Sequence, residues 1–164
     1  DDAFASPFLC VRGTGTPWHP AVGAWADASL RRFAYEFARY MRGDLPVKND
    51  TEVTEADVRT KHLILFGDPG SNPWIAKALP RLPLTWTRDT VKLGDASHAA
   101  KDHAPVLINA SPFEGAGDHY VVINSGPERT FQRGAMDDET VAFFLRKMAE
   151  AEAEVGTEDN KHRK

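Results

Sequence analysis

Two short segments carry residue types that can bind a charged ligand. Gly13-Thr14-Gly15-Thr16 offers backbone amides with little side-chain obstruction and two hydroxyls between them. A loop of that kind between a strand and a helix can cradle a phosphate. The pattern stops short of the known fingerprints. No third glycine completes a dinucleotide loop, and no Lys-Ser or Lys-Thr pair completes a P-loop. Pro17 and Pro20 also remove two amide donors where a phosphate would want them. The segment therefore reads first as a rigid turn. Asp68-Pro69-Gly70-Ser71-Asn72 is the better candidate, because its amides can hold an anion at the start of a helix. A turn plus an N-cap explains the same five residues without a ligand.

Nucleophiles and metal ligands are less promising. A serine hydrolase places its nucleophile on a strained Gly-x-Ser-x-Gly turn, and Ser71, Ser111 and Ser125 all lack that frame. Ser125 does end a strongly apolar run, but no helix start follows at once to supply an oxyanion hole. His98, Asp102, His103, Asp118 and His119 could gather a metal only if residues 98–103 were helical. Gly94 and Pro105 crowd that stretch, so solvated loop histidines are the simpler reading. Cys10 is the single cysteine, which rules out an intrachain disulfide and a cysteine-rich metal site.

These residues need a frame to position them. Leu63-Ile64-Leu65-Phe66 is apolar throughout, as expected of a central parallel strand buried on both faces. Gly67 to Gly70 turns the chain. Asn72 and Pro73 then suit the cap and the first position of a helix over residues 73–79. Residues 8–11 form the first strand, and residues 20–42 read as a long helix. Its apolar stripe is Val22, Ala26, Leu30, Phe33, Phe37, Tyr40 and Met41, with Gly43 as the terminating left-handed residue.

Residues 45–48 form a short strand that Pro46 assigns to an edge. Thr54 and Asp57 form a capping box for a helix over residues 55–60. Residues 84–87 are rich in strand formers, and residues 89–94 read as an extended piece or a small hairpin arm. Residues 106–109 are expected to be a buried strand, and residues 120–124 the last and strongest one. Asp137 caps a final helix with the stripe Val141, Phe144, Leu145 and Met148.

Alternating strands and helices predict a three-layer α/β/α sandwich with a mostly parallel sheet, flavodoxin-like in order or else Rossmann-like. One domain is expected over residues 1–150, with a disordered charged tail over 151–164. Ligands in such sheets bind beyond the carboxyl ends of the strands. That rule selects a rim of Arg12, Thr14, Gly15, Asp68, Gly70, Ser71, Asn72, Asn109 and Ser125. The 164 residues are 41% apolar, enough for one core, and carry a net charge of −4, which argues against nucleic acid as a partner. Arg31 and Arg32 read as a solvated helix face. No apolar run is long enough to span a membrane as a helix. The chain starts Asp1-Asp2, without an initiator methionine or a basic leader, and reads as a piece of a longer protein.

Several phrases occur together and in order: Asp1-Asp2-Ala3-Phe4, Pro7-Phe8-Leu9-Cys10-Val11-Arg12, Asp50-Thr51-Glu52-Val53-Thr54, residues 63–72, and Tyr120-Val121-Val122-Ile123-Asn124-Ser125-Gly126. This series resembles the C-terminal domain of large bacterial prolyl-oligopeptidase-like or esterase-like α/β-hydrolases, over about residues 1–126. The resemblance implies that the catalytic serine, acid and histidine lie upstream, so no catalytic residue carries over to this chain. It also implies a secreted or periplasmic parent. Relatives tend to follow Asn-Ser-Gly with His-Thr-Phe; here Pro127-Glu128-Arg129-Thr130-Phe131 follows instead.

The expectation is a non-catalytic accessory domain, without cofactor or metal, whose partner is the catalytic α/β-hydrolase domain of the same chain. Trp18, Trp25 and Trp74 are its first interface candidates. The alternative is a small-ligand module that uses the rim for FMN, a nucleotide phosphate or a sugar.

Overall fold

The computed structural model describes residues 6–125. The expected final helix from Asp137, the tail over 151–164 and the outer parts of the 1–150 domain lie outside the described residues. The main sheet has five strands: β1 (Phe8–Arg12), β2 (Val47–Asn49), β3 (His62–Phe66), β7 (Leu107–Ala110) and β8 (Tyr120–Ile123), in the order β2-β1-β3-β8-β7. β2, β1, β3 and β8 run parallel, and β7 runs antiparallel to β8. The helices are α1 (Pro20–Met41), α2 (Glu55–Thr60) and α3 (Pro73–Ala78). A smaller antiparallel sheet holds β4 (Thr85–Trp86), β5 (Thr90–Leu93) and β6 (Ala96–Ala99). The chain is thus an α/β protein with a mixed, mostly parallel sheet.

Side chains alternate along a strand, so each face of the sheet has its own apolar set. Leu9, Val11, Leu63, Leu65, Val121 and Ile123 cluster with Val58 of α2, Ile75 and Ala78 of α3, and Trp86 and Val91 of the small sheet. Cys10, Ile64, Phe66 and Val122 cluster instead with Leu30 and Phe33 of α1 and with Leu45. The middle of α1 therefore packs on one face, while its first-turn Val22 joins the cluster on the other, where α2, α3 and the small sheet pack. The topology explains the division. β2 lies on one side of β1 and β3 on the other, so the chain reverses direction across the sheet. Right-handed crossovers in opposite directions put their helices on opposite faces.

Four details depart from the expectations. α1 is closed by Arg42, which takes φ 54° and bonds through its amide to the Ala38 carbonyl; Gly43 is not the left-handed residue. Tyr40 and Met41, in the last turn of α1, are off the buried stripe, 69% and 67% exposed. The strand-rich 84–87 and extended 89–94 segments do form β4 and β5, but the small arm gains a third strand, β6, that the sequence reading did not place. β7 is a half-buried antiparallel edge strand, not a buried one, since only β8 flanks it. The central position of β3, the edge position of β2 and the Thr54–Asp57 capping box agree with the sequence reading.

Candidate functional site

The first strand pair to examine is β1 and β3, where the connections leave in opposite directions and a crevice is expected beyond the carboxyl ends. Arg12 sits there, exposed, in register with Asn49 and Phe66. Thr14 and Gly15 follow on the β1 side, and Asp68, Gly70, Ser71 and Asn72 on the β3 side. Ser125 joins them from the end of β8. Eight of the nine candidate residues thus lie at the carboxyl ends of the parallel strands or in the loops that follow them.

Asn109 does not. It faces Val121 near the start of β8. Because β7 is antiparallel, its carboxyl end lies at the opposite edge from those of its neighbours. The apolar run over 106–109 gives no sign of strand direction, and the rim rule holds only for parallel strands.

An anion site needs amide donors that point at empty space. Here those donors are already engaged. Gly13 N–H donates to the Phe66 carbonyl at 3.2 Å, and Gly15 N–H to the Ser71 carbonyl at 2.8 Å. Thr14 gives both its amide (3.2 Å) and its hydroxyl (2.6 Å) to the Asp50 carboxylate. The Asp68 carboxylate accepts from Trp18 N–H at 2.7 Å, Gly70 N–H at 3.0 Å, Ser71 N–H at 2.8 Å and the Ser71 hydroxyl at 2.9 Å. Asn72 N–H donates to the Asp68 carbonyl at 2.8 Å. Two carboxylates of the chain itself thus stand where a bound anion would, and their charge opposes a second one.

The loops also leave little room. A side chain placed on Gly13 would put its Cβ 2.6 Å from the Ser71 carbonyl oxygen. At Gly15 the nearest atom is the Gly70 oxygen at 2.8 Å, and at Gly70 it is Trp18 Cδ1 at 2.5 Å. These glycines are required by backbone packing against backbone and indole, without any ligand. Asn72 is fully buried. Its Nδ2 donates to the Val11 and Phe66 carbonyls at 3.2 and 3.0 Å, and its Oδ1 caps α3 through Trp74 N–H at 3.0 Å. It ties the ends of β1 and β3 to the start of α3.

Two more residues complete this lock: Asn124, which the rim rule reaches beside Ser125 at the end of β8, and Asp50, which it does not select. Asn124 takes φ 52° and exchanges a pair of hydrogen bonds with Gly67: Gly67 N–H to Oδ1 and Nδ2 to the Gly67 carbonyl, both 2.9 Å. The side-chain amide acts as one more rung between β3 and β8. Asp50 is buried, follows β2 directly, and also accepts Trp74 Nε1–H on its carbonyl at 2.9 Å. Its signal in the sequence is a carboxylate just past the edge strand, level with the Gly-Thr-Gly turn.

Other titratable groups are structural too. Burial pushes the Asp57 carboxyl up, but hydrogen bonds from Lys48 (2.7 Å), Lys61 (2.6 Å) and the amide and hydroxyl of Thr54 outweigh it and hold the group well below the usual carboxylate range. The Cys10 thiol is buried in β1, and desolvation raises its pKa far above the ordinary value, so it is not a nucleophile. His98 lies in β6 and not on a helix, so the helical spacing with Asp102 is lost; its ring meets that of His103 at 4.7 Å. Among the described residues no three His, Cys, Asp or Glu side chains are grouped to hold a metal ion, and no helix is long and apolar enough to cross a membrane.

The tryptophans are used internally. Trp25 is buried with Ala26 and Ala28 against Ala104 and Val106. Trp18 lies over Gly70, and Trp74 stacks edge-on with Phe113 at 5.2 Å. Among the described residues the large apolar side chains left exposed are Tyr35, Tyr40 and Met41, all on the second half of α1, with the Arg39 guanidinium 5.5 Å from the Tyr40 ring centre. Comparison with protein-family profiles, curated protein sequences and solved structures finds no match to this chain.

Proposed function

We propose that this chain is a non-catalytic accessory domain that docks on a catalytic α/β-hydrolase domain of a prolyl-oligopeptidase-like or esterase-like protein. One observation carries the choice over a ligand-binding module: the Asp50 and Asp68 carboxylates occupy the amide donors of the rim. A phosphate-bearing ligand such as FMN or a nucleotide would have to displace a buried carboxylate from each loop. The order of phrases over residues 1–126 supports the hydrolase assignment as a resemblance. The fold fits a flavodoxin-like reading over its first three sheet strands, ordered 2-1-3. Its last two are exchanged, with an antiparallel strand at the edge.

The docking surface in this reading is the far end of α1, where Tyr35, Tyr40 and Met41 lie open beside Arg39. Large aromatic residues with arginine are the usual anchors of interfaces. Thermal melts of the chain alone and joined to its upstream neighbour test the proposal. Docking predicts a higher melting temperature for this domain in the longer protein, because a partner that binds only the folded form adds to its stability. Tyr40→Ala should remove most of that gain while leaving the isolated domain unchanged. Identical melting in both proteins overturns the proposal.

A further inference from the structure

The far end of α1 leaves two cations without a counterion. Arg39 and Arg42 are exposed, and among the described residues neither forms an ion pair. Tyr35 and Arg39 are four residues apart and share the outer face of the helix, with Arg42 three residues further on. Tyr40 and Met41 lie open beside them. Arg31 and Arg32 on the preceding turns make contacts of their own, so Arg39 and Arg42 are the open charges here. Several other cations already face carboxylates: Lys48 and Lys61 are held by Asp57, Arg59 by Glu55 and Lys101 by Asp102.

The complementary charge stands in the same chain. Glu150, Glu152, Glu154, Glu158 and Asp159 occur with no lysine or arginine between Lys147 and Lys161. They lie outside the described residues, and the fold sets the distance to be covered. β8 ends at Ile123, beside the carboxyl ends of its parallel neighbours. α1 starts at that end, because it follows β1. It finishes at the other end, because β2 comes next and runs parallel to β1. The 22 residues of α1 measure about 33 Å at 1.5 Å per residue. Residues 126–149 extend to about 80 Å when stretched, so Glu150 reaches Arg42 with slack.

We propose that the acidic segment over residues 150–159 is a tethered ligand for the Tyr35, Arg39 and Arg42 face of α1, its carboxylates pairing with the two guanidiniums. A planar guanidinium takes two carboxylate oxygens at once, which suits it to this role. Each exposed ion pair is weak alone. The tether offsets this by holding the segment at an effective concentration of order millimolar. The chain as a whole carries a net charge of −4, so most of its surface repels the segment and the arginine end of α1 does not. The consequence for docking rests on the reading above: the segment competes with the partner for one face of α1.

A nitroxide attached through Ala153→Cys in the whole chain tests the contact; Cys10 is buried and stays unlabelled. At low salt the label should broaden the amides of residues 35–43 more than those of the other described residues. Raising the salt from about 0.01 M to about 1 M shortens the screening length from about 30 Å to about 3 Å and should cut that broadening at least about threefold. Arg39→Gln combined with Arg42→Gln, both at exposed positions, should cut it as far at low salt. Broadening centred elsewhere, or insensitive to salt or to the two arginines, overturns the proposal. So does equal broadening in a mixture of spin-labelled chains with separate nitrogen-15 chains, which would mean that a second copy supplies the segment. Docking is read separately. In the longer protein, replacing the five acidic residues by their amides should raise the melting temperature of this domain. No rise, with the broadening intact, refutes the shared docking surface and leaves the contact standing.

Discussion

Removing the Asp68 carboxylate is the sharpest test of the view that the rim is a structural lock. The side chain is 1% exposed and accepts from three backbone amides and one hydroxyl. Asp68→Ala strips all four donors of this partner. A donor left dry costs about 1–3 kcal/mol. Trp18 and Gly70 are only half-buried, so water can recover part of their loss. The Ser71 hydroxyl can also use the Asp68 carbonyl, 3.3 Å away. The expected net cost is about 3–5 kcal/mol, a large share of the roughly 5–15 kcal/mol typical of a domain. At a urea slope near about 2 kcal/mol/M, the midpoint should drop by about 2 M with the slope unchanged. Asp68→Asn should fall between the two, because Oδ1 can still serve Gly70 and Ser71 while Nδ2 faces the Trp18 amide. A loss under about 1 kcal/mol for Asp68→Ala would refute the reasoning, since that is the range of ordinary surface changes. So would an Asn variant less stable than the Ala variant. Inorganic phosphate should not rescue either protein; strong stabilisation of the wild type by millimolar phosphate would restore the ligand-binding reading.

Three further outcomes are expected. Asp57→Ala should cost about 2–3 kcal/mol, combining a lost capping box with two charge-assisted bonds whose lysine ends are partly solvent-screened. The Asp57 carboxyl is held below its ordinary range, so its contribution should be full above about pH 4 and shrink as the pH falls further, which acid denaturation of both proteins would reveal. Phe66→Ala removes a 2%-exposed ring from the central strand and should cost about 3–5 kcal/mol by denaturant titration. Gly13→Ala places a methyl 2.6 Å from a backbone oxygen and should destabilise by about 1–3 kcal/mol, whereas Gly43→Ala, with open space around it, should lie within about 0.5 kcal/mol of the wild type in the same titration.

The sequence disclosed the frame better than the partners. Residues 63–66 announce a buried parallel strand because every side chain is apolar, and Asn72-Pro73 announces a helix start through local chemistry alone. Both are short-range signals. The direction of β7 is not short-range: it depends on whether residues 111–119 turn back as a hairpin or cross over the sheet, and composition does not distinguish these. The rim shows the same limit. Gly-Thr-Gly and Asp-Pro-Gly-Ser-Asn were visible as loops rich in donors. The acceptor for Thr14 lies 36 residues away at Asp50, and Asp68, besides its local bonds to Gly70 and Ser71, reaches the Trp18 amide 50 residues away. Pairings over such distances leave no periodic trace. Tyr40 and Met41 share the apolar stripe of α1 by spacing, yet both are exposed, and spacing alone does not tell where along a helix its burial stops.

The antiparallel setting of β7 also bears on the order in which the sheet is assembled. β7 and β8 are joined by a short local connection, and hairpins of this kind close in about 1–10 μs. The parallel pairing of β8 with β3 is far less local: Leu63 meets Val121 across a connection that contains the whole small sheet. Long-range parallel pairing is the slow class of contact, because chain entropy is lost before the ladder forms. These rates predict that β8 reaches the edge of β3 already carrying β7, so that the sheet grows by two strands in one step. Until that step the β3 edge, five buried residues long, stays open as a template for any other strand.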